Sequence, residues 1–365
     1  MAKVLLGMSG GVDSSVALAL LLDAGHEVTG ITLKMLPRGD LYDDDQSCCS
    51  LTSVLDARLL ADEFDIQHYQ RNISTRFESD IIDPFVQSYA AGETPNPCVL
   101  CNKQIKFGDL YDQMVAMGFD YIATGHYAKI RETEDGELRL HEARDDRKDQ
   151  TYFLYQIGKE QLEHILFPLA DLTKDEVRAI ARERGLSMAS KHDSEDICFV
   201  KSGEHANFIK TRNPELVKAG SFVDQQGQKL GEHEGIVNFT QGQRRGLGIA
   251  LGERTYVTDI KPETREVVLG RNADLMRHKV ELRECNWLMN LDADSINMEG
   301  MTVECKVRHS PFTATAVISQ IEEDTAVLHF PDGVRAPARG QSAVCYLDGD
   351  VVGGGIINQS FKRED

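Results

Sequence analysis

The stretch GMSGGVDSS, Gly7 to Ser15, limits the fold of this chain more than any other. It follows a short apolar run, "KVLLG" (3–7), and precedes "SSVALALLLDA" (14–24), whose apolar density suits a helix packed on a sheet. Gly25 then stops the helix, as a residue that accepts positive φ at a C-terminus does. "EVTGITLKM" (27–35) is strand-like again. A β–loop–α–β order of this kind requires a parallel sheet with right-handed crossovers. In the turn, Gly10 and Gly11 let the backbone approach an anion closely. The amides of Gly7, Met8, Ser9, Gly10, Gly11, Val12, Asp13 and Ser14 are the candidate cradle, backed by the positive end of the helix. Ser9 and Ser14 add hydroxyl donors. Asp13 is an awkward acid there unless it holds Mg²⁺ or fixes the loop. The lysine of a P-loop is absent and the spacing fails G-x-G-x-x-G, which argues against a P-loop NTPase and a dinucleotide fold. The bland alternative is a glycine turn with no ligand.

The α/β alternation continues. Residues 53–64, 74–90 and 107–117 read as helices, "DYIATGHYA" (120–128) as a strand ending in a Gly-His turn, and 174–185 as an amphipathic helix closed by Gly185. Residues 1–204 therefore read as one α/β domain of the parallel-sheet kind. Beyond about 205 the helical period fades, and 205–275 reads as a small central domain of short strands and Gly-rich turns. From 276 to 365 alternating strands separated by "PDG" and "DGD" read as a small β-barrel or sandwich.

The 365 residues carry a net charge of −19, which disfavours indiscriminate binding to nucleic acid but permits local basic patches. "QGQRRGLGI" (241–249) and "ECKVRHSPF" (304–312) are two such stretches. The sequence contains no apolar run of about 18 residues and starts without a signal-peptide pattern. It reads as a cytoplasmic protein with no membrane attachment. Its eight cysteines then read as thiols, ligands or catalysts and not as disulfides.

Cys285, Cys305 and Cys345 sit in strand-like runs and read as buried structural thiols. Cys48–Cys49 lie in an acidic loop and read as non-catalytic. Cys198, in "SKHDSEDICFV", has Lys191 and His192 near in sequence, which favours a thiolate; the alternative is a cysteine that opens a strand. "TPNPCVLCNKQIKF" (94–107) holds Cys98 and Cys101 at CxxC spacing. Pro95 and Pro97 imply that Cys98 lies in an ordered, non-helical loop. A loop cysteine, a distant second cysteine and a phosphate loop suggest sulfur transfer to an activated carbonyl.

The Ser-Gly-Gly-Val-Asp-Ser string resembles the pyrophosphate loop of the ATP pyrophosphatases, which split ATP to AMP and pyrophosphate. With "TPNPCVLCNKQIKFG", "YIATGHYA", "KDQTYFLY", "DSEDICFV", "GQRRGLGI" and "GQSAVCY…GGGII", nearly the whole chain resembles the tRNA-specific 2-thiouridylases. The resemblance implies an N-terminal ATP-pyrophosphatase domain (adenine nucleotide alpha hydrolase-like), a small central domain and a C-terminal β-barrel. It implies 2-thiolation of the wobble uridine of tRNAs for Lys, Glu and Gln. ATP, with Mg²⁺, would sit on Gly7 to Ser14, with Leu33 and Gly125 on the adenine side. Cys198 would carry sulfur as a persulfide, delivered by a cysteine desulfurase or a sulfur-relay protein. Cys101 would release it by forming a disulfide with Cys198. Asn96, Pro97 and Cys98 would hold the base. His126, Lys148, Asp149, Gln150, Arg308, His309 and Gln341 would contact tRNA, though a turn histidine satisfied locally is the plainer reading of His126.

One departure stands out. Family members commonly carry Asp where this chain has Cys98, so a general acid/base at that position is in doubt here. Cys98, Cys101 and Cys198 match the ligand count of a [4Fe–4S] cluster with one open iron; a cluster-free enzyme with Cys98 as a spare thiol is the alternative. Two other function classes remain at this stage: an amidating or ligating ATP pyrophosphatase, which needs no cysteine trio, and a non-catalytic RNA-binding module built on the C-terminal β domain.

Overall fold

In the computed structural model the run Lys3–Gly7 (β1) is the central strand of a five-stranded sheet. The structure describes residues 1–36, 51–191, 197–200, 203–249 and 252–363. Cys48, Cys49 and His192 lie outside them. β1 is flanked by β2 (Glu27–Lys34) on one side and β4 (Tyr121–Ala123) on the other, both parallel to it. β3 (His68–Asn72) extends the sheet beyond β2. Ile165–Leu166, the seventh strand (β7), extends it beyond β4. Val4, Leu5 and Leu6 are fully buried because helices cover both faces, which is why β1 reads as a continuous apolar run. The helix α1 (Val12–Asp23) is apolar nearly all round for the same reason. The strand order 3-2-1-4-7 reverses direction at β1, so the crevice past the carboxyl ends of β1 and β4 is the natural ligand position.

The chain divides into two compact units. The first comprises residues 1–82, 98–202 and 349–351 and contains the parallel sheet. It also holds a hairpin that the sequence reading did not expect, β5 (Lys129–Glu132) and β6 (Leu138–His141), closed at Gly136. Asp350, 1% exposed, belongs to this unit and accepts from Arg131, Arg139 and His141 of the hairpin.

The second unit comprises residues 83–97, 203–348 and 352–365. The helix Asp83–Ala90 therefore groups with residues after 203, although it precedes Cys98 in the chain. Its Phe85 meets Phe208 edge-on and its Tyr89 stacks on His205, an apolar seam with Arg212 paired to Asp83 at one end. A four-stranded sheet follows (256–261, 266–270, 220–223, 229–233 in spatial order). Residues 276–361 form six strands closed by the pairing of Met276–Trp287 with Asp350–Phe361, which makes the expected C-terminal element a barrel. Buried Ala316 and Ile318 alternate with more exposed neighbours, and after a register shift between Ile318 and Gln320, Ile321 turns inward again, so that the strand fills the interior. Cys305 and Cys345 face each other across neighbouring strands, buried, and the hydrogen bond between their sulfurs, followed by burial, raises the Cys305 thiol well above its ordinary value. Burial pushes the Cys285 thiol up to about 12. Cys305 and Cys345 are buried as their strand context suggested, whereas Cys285, expected to be buried too, is partly exposed because it lies near the end of its strand.

Among the described residues no helix is long and apolar enough to cross a membrane.

Candidate active site

The loop after β1 is built by close packing that only glycine permits. Gly10 has φ 68°, and a Cβ there would lie 2.2 Å from the Ser53 carbonyl oxygen of the helix Leu51–Glu63. Gly11, extended at φ −99° and ψ 168°, caps α1 without a side chain. The first-turn hydroxyls are turned inward: Ser14 and Ser15 both donate to the Gly11 carbonyl, at 3.1 and 2.9 Å. Ser9 N–H points at Ser14 Oγ from 3.4 Å. Met8 is held by β2, its N–H on the Ile31 carbonyl and its carbonyl on the Thr32 hydroxyl, each at 2.8 Å. Leu33 lies further along the same strand, 9% exposed.

Asp13 resolves the puzzle of an acid inside an anion cradle. Lys174 Nζ lies 2.7 and 2.8 Å from its two carboxylate oxygens, and Tyr127 O–H donates to it at 2.8 Å. Lys174 is 7% exposed and opens the helix Lys174–Glu183 behind a Thr173–Glu176 capping box. Its own N–H donates to buried Asp145 at 2.9 Å. Asp13 is therefore tied to Lys174 and Tyr127, which fixes the loop at the start of α1. Gly125, which follows β4, sits against this corner: a Cβ there would lie 2.9 Å from Asp13 C and Ser14 N. The β4 turn and the start of α1 can meet only because residue 125 has no side chain. Lys174 and Tyr127 were not singled out from the sequence, since 161 and 114 residues separate them from Asp13.

The cysteine segment differs from the loop the prolines suggested. Pro97–Cys101 is a helical turn. Proline suits the first position of a helix, where its missing N–H has no partner to lose. Cys98 and Cys101, three apart, share one helix face. The helix then widens into a π-helix over Asn102–Asp109 before Leu110–Ala116 resumes the α form. Gly108 accommodates the wide turn, since a Cβ there would meet the Lys103 carbonyl at 2.9 Å. Such π segments are frequent at functional sites. Asn102, buried, donates to the Phe153 carbonyl at 3.0 Å and so ties this helix to the "KDQTYFLY" segment. Cys198 lies in a turn closed by Val200 N–H on the Ile197 carbonyl, not at the start of a strand. Phe199 anchors that turn edge-on against Phe77. Cys101 is buried, whereas Cys98 and Cys198 are partly exposed.

Three family models cover consecutive parts of the chain: a tRNA methyl transferase HUP domain at 2–202, a tRNA methyl transferase PRC-barrel domain at 206–271 and an aminomethyltransferase beta-barrel domain at 277–357. A Clostridium perfringens protein called tRNA-specific 2-thiouridylase MnmA is 46% identical over 97% of this chain and 98% of its own. A Clostridioides difficile protein of the same name is 45% identical over 98% of this chain and 99% of its own. The chain belongs to the tRNA-specific 2-thiouridylase family.

Within the 2-thiouridylase frame, several residues expected to face tRNA have structural work. His126 is buried, with Nδ1 2.7 Å from Thr124 Oγ1 and Nε2 3.3 Å from Lys106 Nζ. Burial, and then the Lys106 ammonium, push its pKa well below the ordinary value, so the ring is neutral. Because an ammonium has no lone pair, Nε2 accepts and the proton is on Nδ1, donated to Thr124. Asp149 is buried too, accepting from the Ala143 N–H at 3.0 Å and the Thr151 hydroxyl at 2.6 Å. Gln150 brackets Tyr127, its Oε1 accepting the Tyr127 N–H and its own N–H donating to the Tyr127 carbonyl. Lys148 beside them is partly exposed.

In the second unit, Gln341 donates to the Thr94 carbonyl at 2.8 Å, and Thr94 N–H donates to the Arg339 carbonyl at 2.7 Å. Gln341 thus holds the chain just before Asn96, which is partly exposed, and Pro97, which is buried. Arg308 donates to the Arg335 carbonyl at 2.5 Å, and His309 is exposed next to it.

For an iron–sulfur site, three cysteines must converge. Among the described residues no three His, Cys, Asp or Glu side chains form a group able to hold a metal, so Cys98, Cys101 and Cys198 do not fit a cluster as they stand here.

Proposed function

We infer that this protein 2-thiolates the wobble uridine of tRNA (the Lys, Glu and Gln acceptors) at the expense of ATP. Residues 1–204 handle ATP and sulfur, and residues 205–275 and 276–365 hold tRNA. The observation that carries the reading is the phosphate loop Gly7–Ser14, whose one acid is offset by the Lys174 ammonium and held by the Tyr127 hydroxyl. With that charge offset, the amides at the start of α1 are left to an anion.

ATP enters with Mg²⁺ on its phosphates and lies across the ends of β1 and β4, near Leu33 and Gly125. The uridine C2 oxygen attacks the α-phosphorus and pyrophosphate leaves. The loop amides stabilise its charge. A cysteine desulfurase or sulfur-relay protein loads Cys198 as a persulfide. The terminal sulfur attacks C2 and AMP departs, leaving a Cys198–S–S–C2 linkage. The Cys101 thiolate attacks Cys198 Sγ, which forms the Cys101–Cys198 disulfide and leaves sulfur on C2. A thiol reductant returns two electrons to that disulfide before the next cycle. Asn96, Pro97 and Cys98 hold the base, and Lys148, Arg308 and His309 face tRNA. Asp149, Gln150, His126 and Gln341 act by shaping the backbone near it. No step is routed through a cluster.

Methyl transfer, the chemistry named in the descriptions of two of the family models, is the second reading. Sulfur-for-oxygen exchange and methyl gain give nucleosides of different mass. Tests of AMP release distinguish the readings further: thiolation requires AMP release that depends on tRNA and is lost, or yields no thionucleoside, in Cys198→Ser. A Cys198→Ser enzyme that thiolates normally would refute the persulfide route.

A further inference from the structure

Lys191 follows the short turn Ser187–Ser190, and its side chain reaches the phosphate loop. Its Nζ lies 3.1 Å from the Gly10 carbonyl oxygen, 2.9 Å from Asp56 Oδ2 and 3.5 Å from Ser53 Oγ. An ammonium has three hydrogens and here meets three oxygens. Two of those oxygens belong to the helix Leu51–Glu63 and one to the loop. Gly10 is consequently gripped twice. The Ser53 carbonyl fills the space a Cβ would need, and Lys191 takes the Gly10 carbonyl.

The physical demand on such a loop is strict. A backbone cradle attracts an anion only while its N–H groups face the ligand and its carbonyls face away. Gly10 occupies the left-handed region, where glycine can turn its peptide either way at small cost. Its conformation needs an external constraint, and Lys191 supplies a charged one. Asp56 balances the ammonium.

We propose that Lys191 is a positioning residue for the phosphate loop: it holds the Gly10 carbonyl away from the nucleotide and so presents the Gly11 and first-turn amides to the pyrophosphate of ATP. The proposal rests on the reading of Gly7–Ser14 as an ATP site. Binding of ATP alone, by calorimetry on the full chain without tRNA or sulfur donor, separates the two. If the unmodified protein binds no ATP, the ATP reading fails and the proposal with it. If it binds ATP and Lys191→Met binds equally well, only the proposal fails. The expected result is an ATP Kd raised at least about tenfold in Lys191→Met, as for loss of a hydrogen bond from a charged group. In turnover, KM for ATP rises by a similar factor while kcat at saturating ATP and the Kd for tRNA stay within about threefold, since a loop ordered by bound nucleotide no longer needs the clamp. A fall in kcat with KM unchanged, or an equal loss of tRNA binding, would overturn it. Should Lys191→Met fail to fold, the same split is read on Lys191→Gln, whose shorter, neutral side chain carries no ammonium to these oxygens. Unaltered ATP affinity in Lys191→Gln would overturn the proposal as well.

Discussion

Replacing Lys174 with Met would test the charge logic of the phosphate loop. Lys174 is 7% exposed and places one ammonium on both oxygens of Asp13, at 2.7 and 2.8 Å. Without it, the Asp13 carboxylate keeps, among the described residues, only the Tyr127 hydroxyl and stands as an unbalanced negative charge at the N-terminus of α1, where the phosphates are proposed to sit. Losing a hydrogen-bonded charged partner costs about 1.5–3 kcal/mol. Charged to ATP binding at 1.4 kcal/mol per decade, that is a Kd weakened roughly 10- to 150-fold. The double variant Asp13→Asn/Lys174→Met removes both charges and is expected to recover about a decade of the lost affinity, because the repulsion disappears although the geometry stays imperfect. Calorimetric titration with ATP of the two single variants, the double variant and the unmodified protein closes the cycle. Two results would refute the reasoning: Lys174→Met with unaltered ATP affinity, or a double variant no better than Lys174→Met alone. In the second case Lys174 would act through the backbone and not through charge.

Gly10→Ala must place an L-residue at φ 68° and a methyl 2.2 Å from the Ser53 carbonyl, so the loop has to shift. The conformational part alone costs about 1–2 kcal/mol, or roughly 2–8 °C in Tm for a unit of this size, and ATP affinity falls with it; differential scanning with and without ATP measures both. His126 gives a pH signature. Its folded pKa is depressed, so below about 6.5 the unfolded chain takes up a proton that the folded one refuses. Stability is then full above that range and lost as pH falls, at up to about 1.4 kcal/mol per unit. His126→Asn should show a smaller drop in urea midpoint between pH 7.5 and 5.5 than the unmodified protein, while His68, His205 and His233, also depressed, keep their share. An identical drop in both proteins would show that the ring takes up its proton freely.

Much of the architecture was legible because it rests on local pattern. The buried run at 4–6, the glycine turn and the apolar helix α1 announce a parallel sheet, and alternation in the strands after 276, interrupted by register shifts, announces the closed β element. Other features were illegible for definite reasons. The hairpin at 129–141 is mostly half-exposed and its strands have four residues each, so the alternation of Leu138 and Leu140 with Arg139 and His141 is too short to mark it. The helical turn at Pro97–Cys101 was hidden by a rule that holds inside helices and reverses at their first residue. The helix Asp83–Ala90 joins the second unit through Phe85 and Tyr89, a tertiary preference that chain order does not encode. In the candidate site, the glycine loop and the cysteines were visible as motifs. The cations that set the loop, Lys174 and Lys191, were not, because each meets its partner across more than 130 residues. Asp149 and Gln150 read as surface contacts in a polar motif, yet their side chains are anchored on backbone N–H groups of Ala143 and Tyr127.

The central claim is that adenylation by ATP and the two cysteines act together on one uridine. The most direct test incubates the full chain with ATP, Mg²⁺, a persulfide donor and unmodified tRNA, then measures nucleosides, AMP and the state of the cysteines by mass spectrometry after one turnover. The expected result is 2-thiouridine and AMP in equal amounts, with a peptide linking Cys101 to Cys198, and no thionucleoside from Cys101→Ser or Cys198→Ser. A methylated nucleoside, thiolation without AMP, or full thiolation by either serine variant would contradict the account.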